Sequence, residues 1–338
     1  MVFKHVLITG GCGFLGQHLT HQLLNEFPNL KIKIIDLKPN SLPLFQFPNN
    51  VEIVLNQNIC DYDSIKHQFK NIDAVIHLAG IVSFSIKDKE LMKNVNILGT
   101  RNVLKAALKN KIKLFIHISS VAALGYNNNQ NKPINENFKF NWKIAKKRKK
   151  YYMLTKYLAD IEVEKYKDQG LNTIVLYPGL MFGPGDAANS ARLIKALKYR
   201  KIPFNMPGGT NVIDVRDVSN GIVTALKQKA QGYYLLSGYN LTMKQINQTI
   251  AQEFQVKPPK LTLPKFLNFI LFHPLLFIEK KAKNKLELAA DNLDSSFKFR
   301  YFDNSKAKKE LNWQPQIDFR KTIKDSIVWL DQNGLLEK

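Results

Sequence analysis

The sequence VLITGGCGFLGQHLTHQLL, residues 6–24, joins a short run of strand-forming residues to a stretch with helical periodicity. Gly10, Gly13 and Gly16 mark the turn between the two elements, and leucines recur at helical spacing beyond it. A glycine-rich turn lets an anion approach the amide groups at a helix N-terminus, where the helix dipole favours negative charge. The stretch therefore predicts a pyrophosphate-binding turn, with a plain strand-to-helix turn as the alternative.

A second strand is predicted at residues 31–35, KIKII, and it ends at Asp36. An acid at this strand end, roughly 20 residues after the glycines, is typical of a dinucleotide fold, where it accepts the adenosine ribose hydroxyls. The carboxylate would repel a 2′-phosphate, so the sequence favours NAD over NADP, while Lys38 could pair with that phosphate and weaken the preference. The alternative interpretation of Asp36 is a solvent-facing acid at a strand end.

Strands and helices alternate through the first half of the chain. Helices are predicted at about 91–110 and 152–168, and apolar strands at residues 51–55, 73–80, 113–120 and 172–179. Such βαβ alternation predicts an α/β fold with a Rossmann-type, doubly wound parallel sheet covered by helices on both faces. Ligands of this fold are expected at the C-terminal ends of the strands.

The composition is that of a folded cytoplasmic protein. Hydrophobic residues make up 45% of the 338 residues, and two cysteines, Cys12 and Cys60, supply neither a disulfide framework nor a zinc site, so we expect no metal. The net charge of +23 reflects 50 lysines and arginines against 27 acidic residues. Because basic residues are spread along the chain, we expect no nucleic-acid partner, and the densest basic run is KIAKKRKK, residues 143–150.

The sequence YYMLTK contains the residues best suited to catalysis. Tyr152 and Lys156 are four residues apart at the start of a predicted helix, so both side chains leave from one face. An ammonium beside a phenol favours the phenolate and lowers its pKa, which lets the tyrosine exchange a proton with an alcohol or a ketone. Ser119 and Ser120 end the preceding strand, where a hydroxyl could hold the substrate oxygen.

Seven motifs occur in the order typical of the extended short-chain dehydrogenase/reductases, the NAD-dependent epimerase/dehydratase superfamily, and the chain resembles that family over nearly its whole length. The motifs are TGGCGFLG, HLAG, NVNILGT, ISSVAALG, YMLTK, LYPGLMFGPGD and DVRDV. The resemblance implies a Rossmann domain at residues 1–178 with a returning segment near 212–238. A smaller C-terminal substrate domain would comprise residues 179–211 and 239–338.

The resemblance also implies roles for individual residues. Tyr152 would be the general acid/base, Lys156 would lower its pKa and bind the nicotinamide ribose, and Ser120 would hydrogen-bond the reacting oxygen. Asn96 matches a family asparagine near the active site, with a structural bond between helix and sheet as its alternative. The same resemblance implies a homodimer through the helices that carry Asn96 and Tyr152. The implied cofactor contacts are Gly10, Gly13, Phe14, Leu15, Gly16, Asp36, Asn58, Ile59, Leu78, Ala79, Gly80, Asn96, Tyr152, Lys156 and Pro178.

Two positions depart from the family pattern. Asn58 replaces an acid that contacts the adenine, although its carbonyl can still accept a hydrogen bond from the adenine amine. Tyr177 replaces the arginine commonly found before the proline of LYPG. We expect adenine binding to survive the replacement at position 58. The replacement at position 177 weakens any argument that this position anchors a ligand.

Local details favour one branch of the family. Residues 120–122, SVA, lack the Thr-Asp-Glu of dehydratases, whereas HLAGIVSF and SSVAALG resemble 3-beta-hydroxysteroid dehydrogenases and dihydroflavonol reductases. The expected reaction is a reversible hydride transfer between NAD and a small-molecule secondary alcohol with an apolar ring or lipid-like body. The alternatives are a sugar-nucleotide epimerase or reductase and, more distantly, a non-catalytic NAD-sensing or nucleic-acid-binding protein.

The segment LTLPKFLNFILFHPLLFI, residues 261–278, is apolar nearly all round and favours an apolar substrate. Its 13 residues from Phe266 to Ile278 are fewer than the ~18 needed to span a bilayer, and Pro274 is expected to interrupt a helix. Lysines flank the segment, so residues 257–285 suit peripheral contact with an anionic membrane by a cytoplasmic protein. A helix buried over the active site is the alternative.

Overall fold

The structure, a computed structural model, describes residues 3–337. The strands are β1 (His5–Thr9), β2 (Lys31–Ile35), β3 (Val51–Val54), β4 (Ala74–His77), β5 (Leu114–Ile118), β6 (Thr173–Pro178), β7 (Leu180–Phe182), β8 (Gly209–Asp214), β9 (Gly232–Leu236), β10 (Tyr239–Thr242) and β11 (Phe299–Arg300). The α-helices are α1 (Phe14–Glu26), α2 (Tyr62–Ile65), α3 (Lys89–Lys93), α4 (Thr100–Lys109), α5 (Trp142–Lys147), α6 (Tyr151–Lys167), α7 (Ser190–Lys198), α8 (Val215–Gln228), α9 (Met243–Glu253), α10 (Leu267–Lys281), α11 (Ala290–Ser296), α12 (Ser305–Glu310) and α13 (Phe319–Gln332).

The main sheet is parallel, with the strand order β3-β2-β1-β4-β5-β6-β9. The chain moves outward from β1 to β3 and then returns to β4 on the other side of β1. This reversal opens a crevice beyond the C-terminal ends of β1 and β4, which is where ligands bind in such sheets. The predicted α/β class and doubly wound parallel sheet are confirmed.

Apolar side chains cover both faces of the main sheet. Ile8 belongs to one core cluster and the neighbouring Leu7 to the other, because successive strand side chains point to opposite faces. Leu23 of α1 and Ile222 of α8 complete the first cluster, and Val163 of α6 lies in the second. Helices therefore shield the sheet on both sides, as apolar parallel strands require.

The helix predicted at residues 91–110 begins earlier and is not uniform. Helix α3 continues through a π-helical turn, Asn94–Gly99, into α4. A Cβ atom on Gly99 would lie only 2.6 Å from Cδ1 of Ile59, so the glycine permits a close approach of this turn to the segment after β3. Hydrophobic spacing could not show the close approach of this turn to Ile59, because that contact joins segments 40 residues apart in the sequence.

A smaller sheet lies in the second half of the chain. Strand β8 is central and pairs antiparallel with β10 and parallel with β7 and β11. Between β8 and β10 the chain returns to the main sheet, where α8 packs on α1 and β9 pairs with β6. Helices α7, α9 and α13 contribute Ile194, Ile246 and Ile323 to a separate apolar core.

Helix α10 runs unbroken through Pro274, where the sequence predicted an interruption, so that prediction was wrong. Proline lacks the N–H that would bind the carbonyl of Ile270. Both residues are exposed, so water can satisfy that carbonyl. Among residues 3–337, no helix combines the length and the apolar character needed to cross a bilayer.

Candidate active site

The C-terminal ends of adjacent parallel strands form one edge of the main sheet, and the predicted site residues follow these ends. From β3 to β6 in spatial order, the edge carries Asn58, Asp36, Gly10, Leu78, Ser120 and Pro178. The topology therefore brings together residues that are far apart in the sequence. They lie where a ligand of a doubly wound sheet is expected.

The glycine turn fits closely against its neighbours. Gly10 has a φ of +70°, and a Cβ atom on it would lie 2.7 Å from the Cα of Ala79. A Cβ atom on Gly16 would lie 2.4 Å from the carbonyl oxygen of Gly11. Gly13 is exposed, and a Cβ atom there would lie 3.2 Å from the Gly10 carbonyl oxygen, a tight contact but a much smaller overlap than at positions 10 and 16. Packing thus requires glycine at positions 10 and 16, whereas Gly13 leaves the turn open to an approaching ligand.

The first turn of α1 presents amide donors towards this opening. Gly13 is the N-cap, and no side chain within residues 3–337 caps the helix. The amides of Phe14, Leu15 and Gly16 belong to the first turn of a helix, where no intrahelical acceptor exists. Uncapped donors, the helix dipole and an open glycine together fit the pyrophosphate of a dinucleotide.

Asp36 lies at the end of β2, next to the glycine turn, and is partly exposed. Its Oδ2 accepts the N–H of Cys12 at 3.0 Å, and its Oδ1 accepts the N–H of Leu37 at 2.8 Å. Burial raises the pKa of this carboxyl, while the N–H donors and the charge of Lys38 oppose the rise. Because each carboxylate oxygen has a second lone pair, Asp36 can brace the turn and still accept ribose hydroxyls.

Asn58 and Ile59 follow β3 in different environments. Asn58 is exposed, and its Oδ1 accepts the N–H of Cys60 at 3.0 Å. Ile59 is buried, and its carbonyl accepts a hydrogen bond from Nδ2 of Asn102 at 2.9 Å. Of these two residues, Asn58 is the one whose side chain a ligand can reach.

The turn after β4 is hydrogen-bonded to the end of β1. The N–H of Leu78 donates to the Thr9 carbonyl at 3.1 Å, and the N–H of Ala79 donates to the Thr9 hydroxyl at 3.3 Å. Gly80 follows and is exposed, whereas Pro178 ends β6 and is buried. The first three of these predicted contacts adjoin the glycine turn, and Pro178 lies two strands further along the edge.

Asn96 is buried in the π-helical turn. Its Oδ1 accepts the N–H of Ile81 at 2.8 Å, and its Nδ2 donates to the Ile81 carbonyl at 3.0 Å and to the Thr155 hydroxyl at 3.1 Å. These contacts join the segment after β4 to α6. They correspond to the structural alternative for Asn96, and a direct contact with a cofactor stays a prediction.

Tyr152 lies in the first turn of α6, close to Ser120 at the end of β5. Burial raises the pKa of the phenol, hydrogen bonding to Ser120 opposes that rise, and the charge of Asp160 adds to it. Phe84, the last residue of the HLAGIVSF motif and one to which the sequence analysis assigned no role, packs edge-on against the phenol ring with the ring centres 6.0 Å apart. The phenol therefore has a polar neighbour and an apolar neighbour, and it is protonated at neutral pH.

Lys156 is buried one turn after Tyr152. Its Nζ donates to the carbonyl oxygen of Ile118 at 2.9 Å, and burial lowers the pKa of Lys156 to about 8, against the effect of Asp160. The ammonium is thus bound to the backbone of β5. In this structure burial dominates at the phenol, so the pKa of Tyr152 is raised, opposite to the direction predicted from Lys156.

The sequence reasoning missed Asp160, which lies one turn beyond Lys156 on α6. Burial raises the pKa of Asp160 to about 7, with Ser119 and Lys156 opposing the rise. Its Oδ1 lies 3.4 Å from Nε2 of His117, whose pKa is held well below its usual value by burial and by Lys156. The spacing of four residues from Tyr152 to Lys156 to Asp160 was the signal that could have found it.

The basic run at residues 143–150 is partly committed to buried ion pairs. The Nζ of Lys150, which is fully buried, lies 2.6 Å from Oδ1 of Asp291 and 2.9 Å from Oδ2 of Asp294. Nη1 of Arg148 lies 2.6 Å from Oδ1 of Asp294. These two cations neutralise carboxylates of α11, so they are not free to attract a substrate diphosphate.

Comparison with known proteins supports the resemblance indicated by the motifs. The sequence model of the 3-beta hydroxysteroid dehydrogenase/isomerase family matches residues 7–264. A curated relative, the decarboxylating sterol-4-alpha-carboxylate 3-dehydrogenase of Candida albicans, is 24% identical over 358 aligned residues, which cover 98% of both chains.

Solved structures share the fold over its whole length. The crystal structure of gox2253 is 25% identical with a TM-score of 0.82, covering 99% of this chain and 100% of that one. The UDP-glucose 4-epimerase of Thermus thermophilus, in complex with NAD, is 18% identical with a TM-score of 0.73, covering 97% and 99%. The predicted family is confirmed: the chain is an enzyme of the extended short-chain dehydrogenase/reductase type and belongs to the 3-beta hydroxysteroid dehydrogenase/isomerase family.

Proposed function

We propose that this protein is an NAD-dependent oxidoreductase that interconverts a secondary alcohol and a ketone on an apolar ring or lipid-like substrate. The observation that carries the proposal is the meeting of Ser120, which follows β5, with Tyr152 of α6, together with the hydrogen bond from Lys156 to β5. A hydroxyl, a phenol and an ammonium at one strand end can hold a carbonyl oxygen and move a proton to it.

The residues at the sheet edge fit a dinucleotide. The uncapped start of α1 would bind the pyrophosphate, and Asp36 would accept the adenosine ribose hydroxyls. We propose NAD rather than NADP, because this carboxylate repels a 2′-phosphate, and the exposed Lys38 is the group that would weaken the preference. The NAD complex of the Thermus thermophilus epimerase, which shares the fold, supports the proposal. The nicotinamide would supply or accept the hydride.

The proton would move through Tyr152. When a ketone is reduced, the phenol would donate a proton to the carbonyl oxygen, which the Ser120 hydroxyl holds in place. The raised pKa of the phenol keeps that proton available at neutral pH. Lys156, with a pKa of about 8, is mostly an ammonium at neutral pH and would stabilise the phenolate left behind. When an alcohol is oxidised, the phenolate would accept the proton of the alcohol hydroxyl.

Two observations support an apolar substrate. The Candida albicans relative is named for action on a sterol carboxylate. In this chain, Phe84 contacts the Tyr152 ring and Ile86, two residues further on, packs against the apolar residues Phe272 and Leu276 of α10. An apolar body could therefore lie beside the phenol, and we propose that the substrate is sterol-like.

The two alternative functions have less support. The diphosphate of a sugar nucleotide would be attracted by a free basic run at residues 143–150, but Arg148 and Lys150 are engaged by Asp294 and Asp291. A non-catalytic NAD-sensing or nucleic-acid-binding protein has no need for Ser120, Tyr152 and Lys156 to be placed together for proton transfer at the edge of the main sheet.

We further propose a cytoplasmic homodimer that keeps the predicted division into a Rossmann domain and a substrate domain. The helices that carry Asn96 and Tyr152 expose the apolar side chains of Leu91, Leu98 and Leu158. An apolar helical face of this kind suits a second copy of the chain.

The test is a nicotinamide-absorbance screen of the purified protein with NAD and with NADP. The substrates are hydroxysteroids, flavanonols, simple alicyclic alcohols and UDP-sugars. Reduction of NAD by an apolar alcohol, lost in Tyr152→Phe, supports the proposal. Reaction of a UDP-sugar alone, without net NADH, would replace it with an epimerase.

A further inference from the structure

A half-open cavity of about 320 Å³ lies beside α6. Its walls are formed by α6, by residues 136–142 and by the strands β6 and β9. Within the described chain, residues 3–337, the side chains that line it do not include Ser120, Tyr152 or Lys156. Its volume lies in the range of small-molecule sites, so the cavity can hold a ligand of its own.

Aromatic rings form a large part of the cavity wall. The rings of Trp142 and Tyr157 stack with their centres 4.0 Å apart, and those of Tyr177 and Tyr233 lie nearly parallel at 6.4 Å. The faces of such rings carry negative partial charge and attract cations. Nζ of Lys167 lies 5.4 Å from the centre of the Tyr233 ring, so one of these rings already faces a cation. The aromatic residues that line the cavity are Phe138, Phe140, Trp142, Tyr157, Tyr177 and Tyr233.

The charged groups around the cavity are mainly acidic. Glu136, Asp160 and Glu164 line it, against one base among the described residues, the exposed Lys139. Burial, together with the charges of all three carboxylates, raises the pKa of the Tyr177 phenol well above its usual value, so the three acids surround one ring. In a chain with a net charge of +23, the cavity is therefore a local negative site.

Asp160 lines the cavity and is only 8% exposed. Its Oδ1 accepts no hydrogen bond within residues 3–337, although Nε2 of His117 lies 3.4 Å away and Ser119 and Tyr177 are close to the carboxyl group. The ammonium of Lys156, one turn earlier, donates to the backbone of β5 instead. Because buried polar atoms are normally hydrogen-bonded, this oxygen lacks a donor that a ligand can supply.

Glu164 repeats this pattern one turn further along α6. Its Oε1 is buried and accepts no hydrogen bond from the described part of the chain, while its Oε2 lies 3.5 Å from Nζ of Lys167. Residues four apart on a helix lie on one face, about 6 Å apart along the axis. Two acceptors without donors thus line one side of the cavity, at a separation that a short alkyl chain can span.

These features favour an organic cation with N–H donors. Within residues 3–337, no three potential metal ligands converge on one point, so a bare metal ion fits poorly. A quaternary ammonium would suit the aromatic rings but has no N–H to donate. A primary ammonium combines the positive charge with three donors.

We propose that the cavity binds a short alkyl diamine, with one primary ammonium on Asp160, the other on Glu164 and the alkyl stem along the aromatic rings. A bound ammonium favours the ionised form of each carboxyl group. The site is separate from the reaction proposed at Tyr152 and does not depend on it.

The test is isothermal titration of the full-length protein with putrescine, a four-carbon diamine, which the wild type should bind. Two other amines should each bind at least about tenfold more weakly, because each lacks a charged hydrogen bond that putrescine makes. They are n-butylamine, which has one ammonium, and tetramethylammonium, which has no N–H.

Asp160→Asn and Glu164→Gln keep the shape of each side chain and remove its charge. Each variant should weaken putrescine binding by about tenfold or more. Asp168→Asn, which changes an exposed acid just after α6, is the control and should bind as the wild type does. A thermal unfolding curve of each variant checks that it is folded.

Failure of the wild type to bind putrescine at millimolar concentration would overturn the proposal. Unchanged affinity in either Asp160→Asn or Glu164→Gln would also overturn it, as would a loss that Asp168→Asn shares. Equal affinity for putrescine and n-butylamine would exclude the contact with two carboxylates. Equal affinity for tetramethylammonium would exclude the N–H donors.

Discussion

The Nζ atom of Lys156 lies 2.9 Å from the carbonyl oxygen of Ile118, so a buried hydrogen bond joins α6 to β5 two residues before Ser120. Tyr152, Lys156 and Asp160 lie on one face of α6 at intervals of four residues. The strand supplies the hydroxyl, and the helix supplies the phenol, the ammonium and the carboxylate. This hydrogen bond helps to hold the helix and the strand end in position relative to each other.

The Tyr152→Phe variant should lose at least about 100-fold in turnover, because it removes the proton that the phenol donates. Binding of NAD should be unchanged. The measurement is steady-state kinetics together with a fluorescence titration of the cofactor. Tyr151→Phe, which alters the adjacent tyrosine of α6, is the control and should retain activity. Full activity in Tyr152→Phe would exclude Tyr152 as the acid.

The Asp36→Ala variant should weaken NAD binding by about tenfold or more, since hydrogen bonds to a charged group contribute about 1.5–3 kcal/mol. Binding of NADP should weaken less, because the repulsion of its 2′-phosphate is also removed. Isothermal titration with both cofactors gives the comparison, with Asp63→Ala, an exposed acid on α2, as the control. An equal loss for both cofactors would show that Asp36 only braces the turn through Cys12.

Gly16→Ala and Gly13→Ala should distinguish a glycine that is needed for packing from a glycine that is needed for the approach of the ligand. The Cβ atom of Gly16→Ala would meet the Gly11 backbone at 2.4 Å, so overpacking should cost at least about 1–3 kcal/mol of unfolding free energy. The Cβ atom of Gly13→Ala would lie 3.2 Å from the Gly10 carbonyl oxygen, a tight contact that a small shift relieves, so this variant should lose less stability than Gly16→Ala while losing affinity for NAD. Thermal unfolding and cofactor titration are measured on both. Unchanged NAD affinity in Gly13→Ala would argue against pyrophosphate binding at this turn.

Asp160→Asn should move the alkaline side of the pH profile. Burial lowers the pKa of Lys156 to about 8 and Asp160 opposes this, so removing the carboxylate should lower that pKa further. If turnover needs the ammonium, kcat/KM falls as pH rises through the pKa of Lys156. The fall should therefore begin at lower pH in Asp160→Asn than in the wild type.

The comparison covers about pH 5 to about pH 10, with Asp168→Asn, an exposed acid after α6, as the control. Alkaline limbs that coincide for Asp160→Asn and the wild type would show that Asp160 does not tune Lys156. A shift shared by Asp168→Asn would point to a general change in surface charge.

Lys150→Met should destabilise the protein by about 3–5 kcal/mol, because it leaves the buried carboxylates of Asp291 and Asp294 without their principal cation. Urea unfolding measures the change. Lys147→Met, an exposed position in the same basic run, is the control and should have little effect. Equal stability of both variants would mean that Arg148 alone suffices to neutralise the cluster.

The sequence alone predicted the parallel α/β sheet, the glycine turn, the acid at the end of β2 and the pairing of Tyr152 with Lys156. These features are local. Periodicity, turn chemistry and spacing of four residues on a helix depend on neighbours in the chain, so they can be read without knowing the packing. The order of the motifs likewise sufficed to predict the family.

Tertiary structure alone decided which environment each of those residues occupies. The raised pKa of Tyr152 comes from burial, and the partners of Arg148 and Lys150 lie more than 140 residues away in sequence. The continuation of α10 through Pro274 and the exposure of Phe269 depend on which face of that helix the rest of the chain covers. Burial and long-range pairing arise only when distant segments pack together, which is why the sequence could name the site residues but not their surroundings.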